Sequence, residues 1–270
     1  MLDYPAFANG KFCKLQDLNI SILDLGFIHS DATYDVLAVK DGMLVNLEQH
    51  LHRFQSSCAG WKLNCPDMDE LRALCVRLVQ LAPTKDLLIW ICTTRGIPRS
   101  GNPRDLSNCD NKLFAYAKPY FGFNPINTAT ICLAKQQRNT AIDQRMKNFA
   151  WNDLNLAQWE AIERGYDSAI LLDNRGFLTE GVGFNVGIIS NGIVRAPKHN
   201  RLDGTVMKQV EKVCLDNSIQ FSWDAISADE LHLCDAMFLT STAGNVITVS
   251  RFEHIEFKES DILKWLQKNI

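Results

Sequence analysis

Hydrophobic positions recur with two different periods along this chain, and the change of period marks out its elements. In DVLAVKDGMLVNL, residues 35–47, two short extended stretches flank Asp41-Gly42, a pair suited to a two-residue hairpin turn. NLEQHLHRFQSSCAGW then switches to helical spacing. Leu47, Leu51, Phe54 and Cys58 share one face, Arg53 lies off it, and Asn46 with Gln49 resembles a capping box. DMDELRALCVRLVQLA predicts a second amphipathic helix with Leu71, Leu74, Cys75, Leu78 and Leu81 inward. LLIWICTTRG is apolar enough for a buried strand, and it delivers Arg95 to the Gly/Pro-containing loop GIPRSGNPRD. KLFAYAKPY predicts a further strand.

FGFNPIN, residues 121–127, contains Pro and Gly and places a domain boundary near residue 122, giving domains 1–121 and 122–270. Beyond it, TATICLAKQQRN is extended. A helix starts at about Asn152 and is stopped at Gly165. SAILLDNRGFLTEGVGFNVGIISNGIVRAP has the spacing of a β-meander, turning at Asp173-Asn174-Arg175-Gly176 and Asn191-Gly192. GTVMKQVEKVCLDN predicts a helix with Val206, Val210 and Val213 inward. AMFLTSTAGNVITV is strand, small-residue loop, strand. The pattern is α+β in two unequal domains, the smaller N-terminal and the larger C-terminal one β-rich.

Composition narrows the function classes. With 46% hydrophobic and 22% charged residues over 270, the chain has ordinary globular proportions and ample length for a core. A net charge of −3 argues against a nucleic-acid or anionic-membrane surface. The N-terminal residues show no signal-peptide pattern, and no apolar run is long enough to span a bilayer. Nine scattered cysteines without a CxxC pair fit reduced thiols in a cytoplasm. No metal site is expected, because His50 and His52 at i,i+2 of a helix do not face each other. His29, His199, His232 and His254 have no partner at a telling spacing. Trp151 and Trp159 are expected in helix packing.

Three features carry chemistry. Lys147, in DQRMKNFAWND, sits at a strand-to-helix joint beside Phe149 and Trp151. A lysine is usually solvated, but one buried beside aromatics can lose its proton and form a Schiff base with an aldehyde. Glu180, in LTEGVGFN, is a carboxylate within a strand run next to glycines, where close approach of another group is expected. Donors for an anion are the third feature. Arg53 has a charged fork, Gly204, Thr205 and Val206 open a helix, and Thr240, Ser241 and Thr242 form a small-residue cup.

These blocks, in this order, resemble the class IV (fold-type IV) aminotransferases that use pyridoxal 5′-phosphate. LGFIHSDATYDVLAVKDGMLVNLEQHLHRF, TTRGIPRSGNPRDL, RMKNFAWNDL, AILLDNRGFLTEGVGFNV, and the pair DGTVMKQV and LTSTAGNV each match a family motif. The resemblance implies that Lys147 is the Schiff-base lysine and proton shuttle and that Glu180 pairs with the pyridine nitrogen. Arg53, Gly204, Thr205, Val206, Ser241 and Thr242 would hold the phosphate. HSDATYD and TSTAG are most similar to the subgroup acting on (R)-amines and D-amino acids. There Arg99 would bind the substrate carboxylate with Arg95 behind it, and His29 and Tyr34 would line the pocket. The family implies a homodimer. Two departures stand out: the phosphate helix begins Gly204-Thr205-Val206, with its hydroxyl one place early, and Val182 replaces the serine after Glu-Gly. The same scaffold also supports 4-amino-4-deoxychorismate lyase and branched-chain aminotransferase activity, and the non-catalytic alternative is a phosphate-ligand-binding protein.

Overall fold

The computed structural model describes residues 3–120 and 128–270, so the boundary expected near residue 122 lies outside the described residues. The chain forms two compact units, Met1–Phe121 with Met146–Ala150, and Gly122–Arg145 with Trp151–Ile270. Among the described residues no helix is long and apolar enough to cross a membrane.

The first unit runs β1 (Pro5–Ala8), β2 (Lys11–Lys14), α1 (Leu25–Ile28), β3 (Ala32–Lys40), β4 (Met43–Leu44), α2 (Leu47–Gly60), α3 (Met68–Leu81), β5 (Leu87–Pro98) and β6 (Cys109–Pro119). Its sheet has the order β2-β1-β6-β5-β3-β4. The β3–β4 hairpin turns at Asp41 (φ 51°) and Gly42 (φ 81°), the two positive φ values that an Asp-Gly hairpin turn takes. α2 and α3 lay Leu51, Phe54, Cys58, Leu71, Leu74, Cys75 and Leu78 against Leu37, Val39, Ile89 and Ile91 of the sheet. Two sequence expectations fail here. Asn46 takes a left-handed conformation (φ 53°) and makes no side-chain cap bond, since a capping side chain requires an extended backbone at that position. Leu81, the last residue of α3, is exposed because the helix has run past the sheet-facing core. Asp67 caps α3 instead of a box, accepting from Asp69 N and Glu70 N.

β5 is bulged where it carries Arg95. The β5–β6 register shifts between Thr94 and Ile97, with Gly96 at φ 75°. A Cβ on Gly96 would come 1.8 Å from Asp110 O, so only glycine lets the strands stay paired there. Asp24 locks the same corner, accepting from Gly26 N (2.7 Å), Thr94 Oγ1 (2.7 Å) and Gly96 N (3.1 Å).

The second unit runs β7 (Thr128–Gln137), α4 (Asn152–Glu163), β8 (Ser168–Leu172), β9 (Leu178–Gly181), β10 (Phe184–Ser190), β11 (Ile193–Pro197), α5 (Thr205–Asp216), β12 (Phe221–Asp224), β13 (Ala236–Ser241), β14 (Asn245–Phe252), β15 (Ile255–Glu256) and α6 (Asp261–Asn269). The expected meander is β8 to β11, each strand antiparallel to the next. Strand order β12-β11-β10-β13-β14-β7-β8-β9, with β9 also paired to β10, closes six strands into a ring and removes their free edges. Side chains alternate between the two faces. Val186, Ile188, Met237 and Leu239 fill one core, while Ile189, Ala236 and Phe238 pack on the other face with Met207 and Val210 of α5. Val213 is only half-buried; Met207 and Cys214 supply the inward stripe with Val206 and Val210. α4 packs Leu154, Ala157 and Ala161 on β7 and β8, with Trp151 and Val182 beside them, whereas Trp159 is exposed.

Candidate active site

Lys147 belongs to the five-residue segment that joins the first unit. Its backbone N–H donates to Ser57 Oγ (3.1 Å), and its carbonyl accepts from Thr33 Oγ1 (2.5 Å). Asn148 forms an antiparallel bridge with Thr33 and holds its own loop, accepting from Ala150 N and donating to Met146 O. Gly60 lets the Met146 side chain lie close, since a Cβ there would meet Met146 Sδ at 2.1 Å and the methionine would have to shift. Lys147 is half-buried, with Nζ 4.5 Å from the Tyr34 ring centroid. Tyr34 in turn stacks on Trp90 (5.0 Å, 7°) and meets Phe149 at 4.5 Å. The amine thus rests on an aromatic face, its backbone fixed on both sides.

One register position beyond Tyr34, Asp35 is fully buried and gathers the side chains of Arg53 and His50. Arg53 grips it bidentately, Nε to Oδ2 at 2.7 Å and Nη2 to Oδ1 at 2.8 Å. His50 Nδ1 lies 2.8 Å from Oδ1. An ionised carboxylate only accepts, so His50 carries its proton on Nδ1, and the 3.3 Å approach of Arg53 Nη2 to that nitrogen is a contact and not a bond. Burial opposes the charge on Asp35, but Arg53 and then His50 outweigh it and hold the carboxyl well below the usual range. Arg53 is therefore oriented by its own unit.

The other sequence candidates of this unit separate. Arg95 is buried and its fork is committed. It pairs with Asp31 through Nε (2.8 Å) and Nη2 (3.1 Å), and donates to Lys62 O (2.7 Å) and Trp61 O (2.6 Å). It ties the residues after α2 to β5, a structural position that does not present it to a substrate. Arg99 is the reverse, with its side chain 68% exposed and Asp110 3.9 Å away. His29 is exposed at the C-terminal end of α1.

In the second unit Glu180 is buried on β9, opposite Asn185 of β10. Gly181 makes the turn possible, since its Cβ would meet the Phe184 ring at 2.2 Å and Ala169 O at 2.5 Å. Glu180 Oε1 accepts from Arg138 Nε (3.0 Å) and Oε2 from Leu202 N (2.9 Å). Arg138, buried just past the end of β7, also donates to Asp153 Oδ2 and Gln144 Oε1, both at 2.6 Å. Sequence reasoning missed Arg138. Its only trace is an arginine closing an apolar strand, and its partner lies 42 residues further on.

From Glu180 the bonds lead to a helix N-terminus. Asn185 Nδ2 donates to Leu202 O (3.0 Å), and Asn185 Oδ1 lies where a Cβ on Gly204 would be, 1.8 Å from it. Gly204 is the N-cap of α5 and has no side chain to offer the first-turn N–H groups of Thr205 and Val206. Ser241, the last residue of β13, and Thr242 after it are half-buried, with Ser241 Oγ accepting from Gly244 N (3.0 Å). Thr240, one residue earlier, is buried, and its Oγ1 has no hydrogen-bond partner among the described residues. Among the described residues no group of His, Cys, Asp and Glu could hold a metal ion.

Known proteins resemble this chain. The family model for amino-transferase class IV matches residues 32–252. A D-alanine aminotransferase of Staphylococcus aureus is 26% identical over 257 residues, covering 92% of this chain and 88% of that protein. A Methanocaldococcus jannaschii protein provisionally named as a branched-chain-amino-acid aminotransferase is 25% identical over 250 residues, covering 90% and 86%. Among solved structures, the branched-chain amino acid aminotransferase of Thermobaculum terrenum in its PLP-form shares the fold, with a TM-score of 0.87 at 18% identity over 98% of this chain and 92% of that one.

Proposed function

Because the chain belongs to the class IV aminotransferase family, whose members are pyridoxal-phosphate-dependent transaminases, we propose that it moves an amino group from a D-amino acid or (R)-amine to a 2-oxo acid. The observation that carries this reading is the seat of Lys147 Nζ, 4.5 Å above the ring of Tyr34. That tyrosine lies within HSDATYD, the block most similar to the D-amino-acid and (R)-amine subgroup, and the D-alanine aminotransferase named above supports the same choice.

The residues present fit the cofactor. A phosphate needs donors, and the N-terminus of α5, whose N-cap Gly204 brings no side chain, together with the Thr240 hydroxyl, which has no partner among the described residues, supplies a cradle of that kind. A pyridine nitrogen needs a fixed acid, and Glu180 is buried and held on both oxygens. When bound, pyridoxal phosphate supplies an electron sink for charge at the substrate's α-carbon.

The chain's own residues do the rest. Lys147 Nζ takes the proton from the substrate's α-carbon and later returns it, acting as base and then acid. Glu180 would hold positive charge on the pyridine nitrogen. Arg53, Thr205, Val206, Ser241 and Thr242 would hold the phosphate, with Asp35 orienting Arg53. Arg99 is the pocket arginine with a guanidinium exposed to meet a carboxylate. Arg95 holds the fold, and His29 and Tyr34 line the substrate side. The protein acts as a homodimer, which light scattering of the purified protein checks.

A branched-chain donor is the second reading, favoured by the relative from M. jannaschii and the T. terrenum structure. A visible spectrum of the protein with pyridoxal phosphate, before and after D-alanine or L-leucine without acceptor, separates the two. Conversion to pyridoxamine phosphate by D-alanine supports the proposal. Conversion by L-leucine alone refutes it in favour of the second reading, and conversion only by aminodeoxychorismate assigns the lyase.

A further inference from the structure

We infer that Thr240 is a phosphate ligand of this chain, replacing the hydroxyl missing from the second position of α5; the inference rests on the cofactor reading above. Thr240 is 2% exposed and its Oγ1 has no partner among the described residues. A buried hydroxyl without a partner is costly, so most are paired. This one sits in a regular strand, with its backbone in register between Asn185 and Val246.

Strand parity says which way it faces. Met237 and Leu239 point into one core, while Ala236 and Phe238 pack with Met207 and Val210 of α5. Thr240 has the parity of Ala236 and Phe238, and so lies on the face that α5 covers. Its cross-strand neighbour Asn185 has the same parity. Asn185 Oδ1 reaches the N-cap Gly204 so closely that a Cβ there would be 1.8 Å away. The partnerless hydroxyl therefore stands one cross-strand step from the residue that touches the start of α5.

That helix start lacks what a phosphate site commonly offers. Gly204 has no capping side chain, and Val206 has no hydroxyl. The helix dipole and the backbone of the first turn remain. A hydroxyl delivered from β13 completes such a site, and the anion in turn gives Thr240 Oγ1 an acceptor. The departure at Val206 and the orphan at Thr240 then have one explanation.

The test compares wild type, Thr240→Val and Thr240→Ser, by thermal unfolding of the ligand-free protein and by titration with inorganic phosphate and pyridoxal phosphate. Valine is nearly isosteric and removes the hydroxyl. Thr240→Val is expected to unfold at the same or a higher temperature without ligand and to bind both probes about tenfold more weakly, the loss expected for one hydrogen bond to a charged group. Thr240→Ser is expected to bind as wild type does. Unchanged binding by Thr240→Val overturns the inference, and so does a drop in ligand-free stability, which would reveal a protein partner. If wild type itself binds neither probe, the cofactor reading fails as well. Unchanged binding by the valine variant beside a binding wild type removes only the role of Thr240.

Discussion

Replacing Arg138 by methionine should be among the most damaging single changes in the second unit. The side chain is 5% exposed, and it serves Glu180 (7% exposed), Asp153 (13%) and Gln144 at once. Methionine retains much of the aliphatic volume, so packing loss is small and the charge effect is isolated. Removing one partner of a buried ion pair costs about 3–5 kcal/mol, because the remaining charge stays in a poor solvent. Here two carboxylates lose the same partner, although Glu180 keeps Leu202 N and Asp153 keeps Asn139 N. We therefore expect a loss of about 3–5 kcal/mol in urea unfolding of the ligand-free protein at neutral pH. The loss should shrink at acid pH, where a stranded carboxylate takes up a proton instead of remaining charged. The double variant Arg138→Met/Glu180→Gln should be less destabilised than the sum of its parts by about 1 kcal/mol or more. A cost below about 1 kcal/mol, or strict additivity, would refute the claim that Arg138 is what keeps Glu180 charged in place.

Three further outcomes follow from the same geometry. Lys147→Ala should lower turnover by on the order of a thousandfold or more and leave no borohydride-trapped cofactor mass on the chain; normal turnover would sink the proposed role. Asp35→Asn should destabilise the first unit and weaken cofactor binding through Arg53. Because the folded carboxyl lies below its unfolded value of 3.8, the stability difference from wild type should be constant at higher pH and close as pH falls below that value; a difference that closes well above it would refute the assignment to Asp35. Gly204→Ala should cost about 1–3 kcal/mol in thermal or urea unfolding, since its Cβ would stand 1.8 Å from Asn185 Oδ1, and an unaffected variant would show that Asn185 moves freely.

Much of this was legible in the sequence because local pattern and burial coincide. The stripe of Leu51, Phe54 and Cys58 is the face α2 buries, and Asp41-Gly42 turns where its φ preference says it should. The meander from Ser168 to Pro197 follows from turn residues alone. The failures are of another kind. Asn46 and Leu81 lie at helix ends, where backbone direction and the edge of the core decide and periodicity says little. Arg95 and Arg99 look equally available in TTRGIPRSG, yet a bulge at Gly96 and a distant Asp31 commit one and leave the other exposed. Arg138, Asn185 and Thr240 matter through partners far along the chain, and no local spacing announces a long-range bond.

The segment Met146–Ala150 deserves a last consequence. The chain leaves the second unit at Arg145 and rejoins it at Trp151, lending five residues to the first. Neither unit is thus a contiguous piece of sequence. A fragment ending at residue 121 would lack the strand-like stretch that Thr33 and Ser57 hold through hydrogen bonds. In hydrogen exchange, the amide of Lys147 should therefore report the opening of the first unit, although most of its sequence neighbours report the second. Lys147 thus sits in a segment that begins 25 positions after Phe121, where the rest of its unit ends.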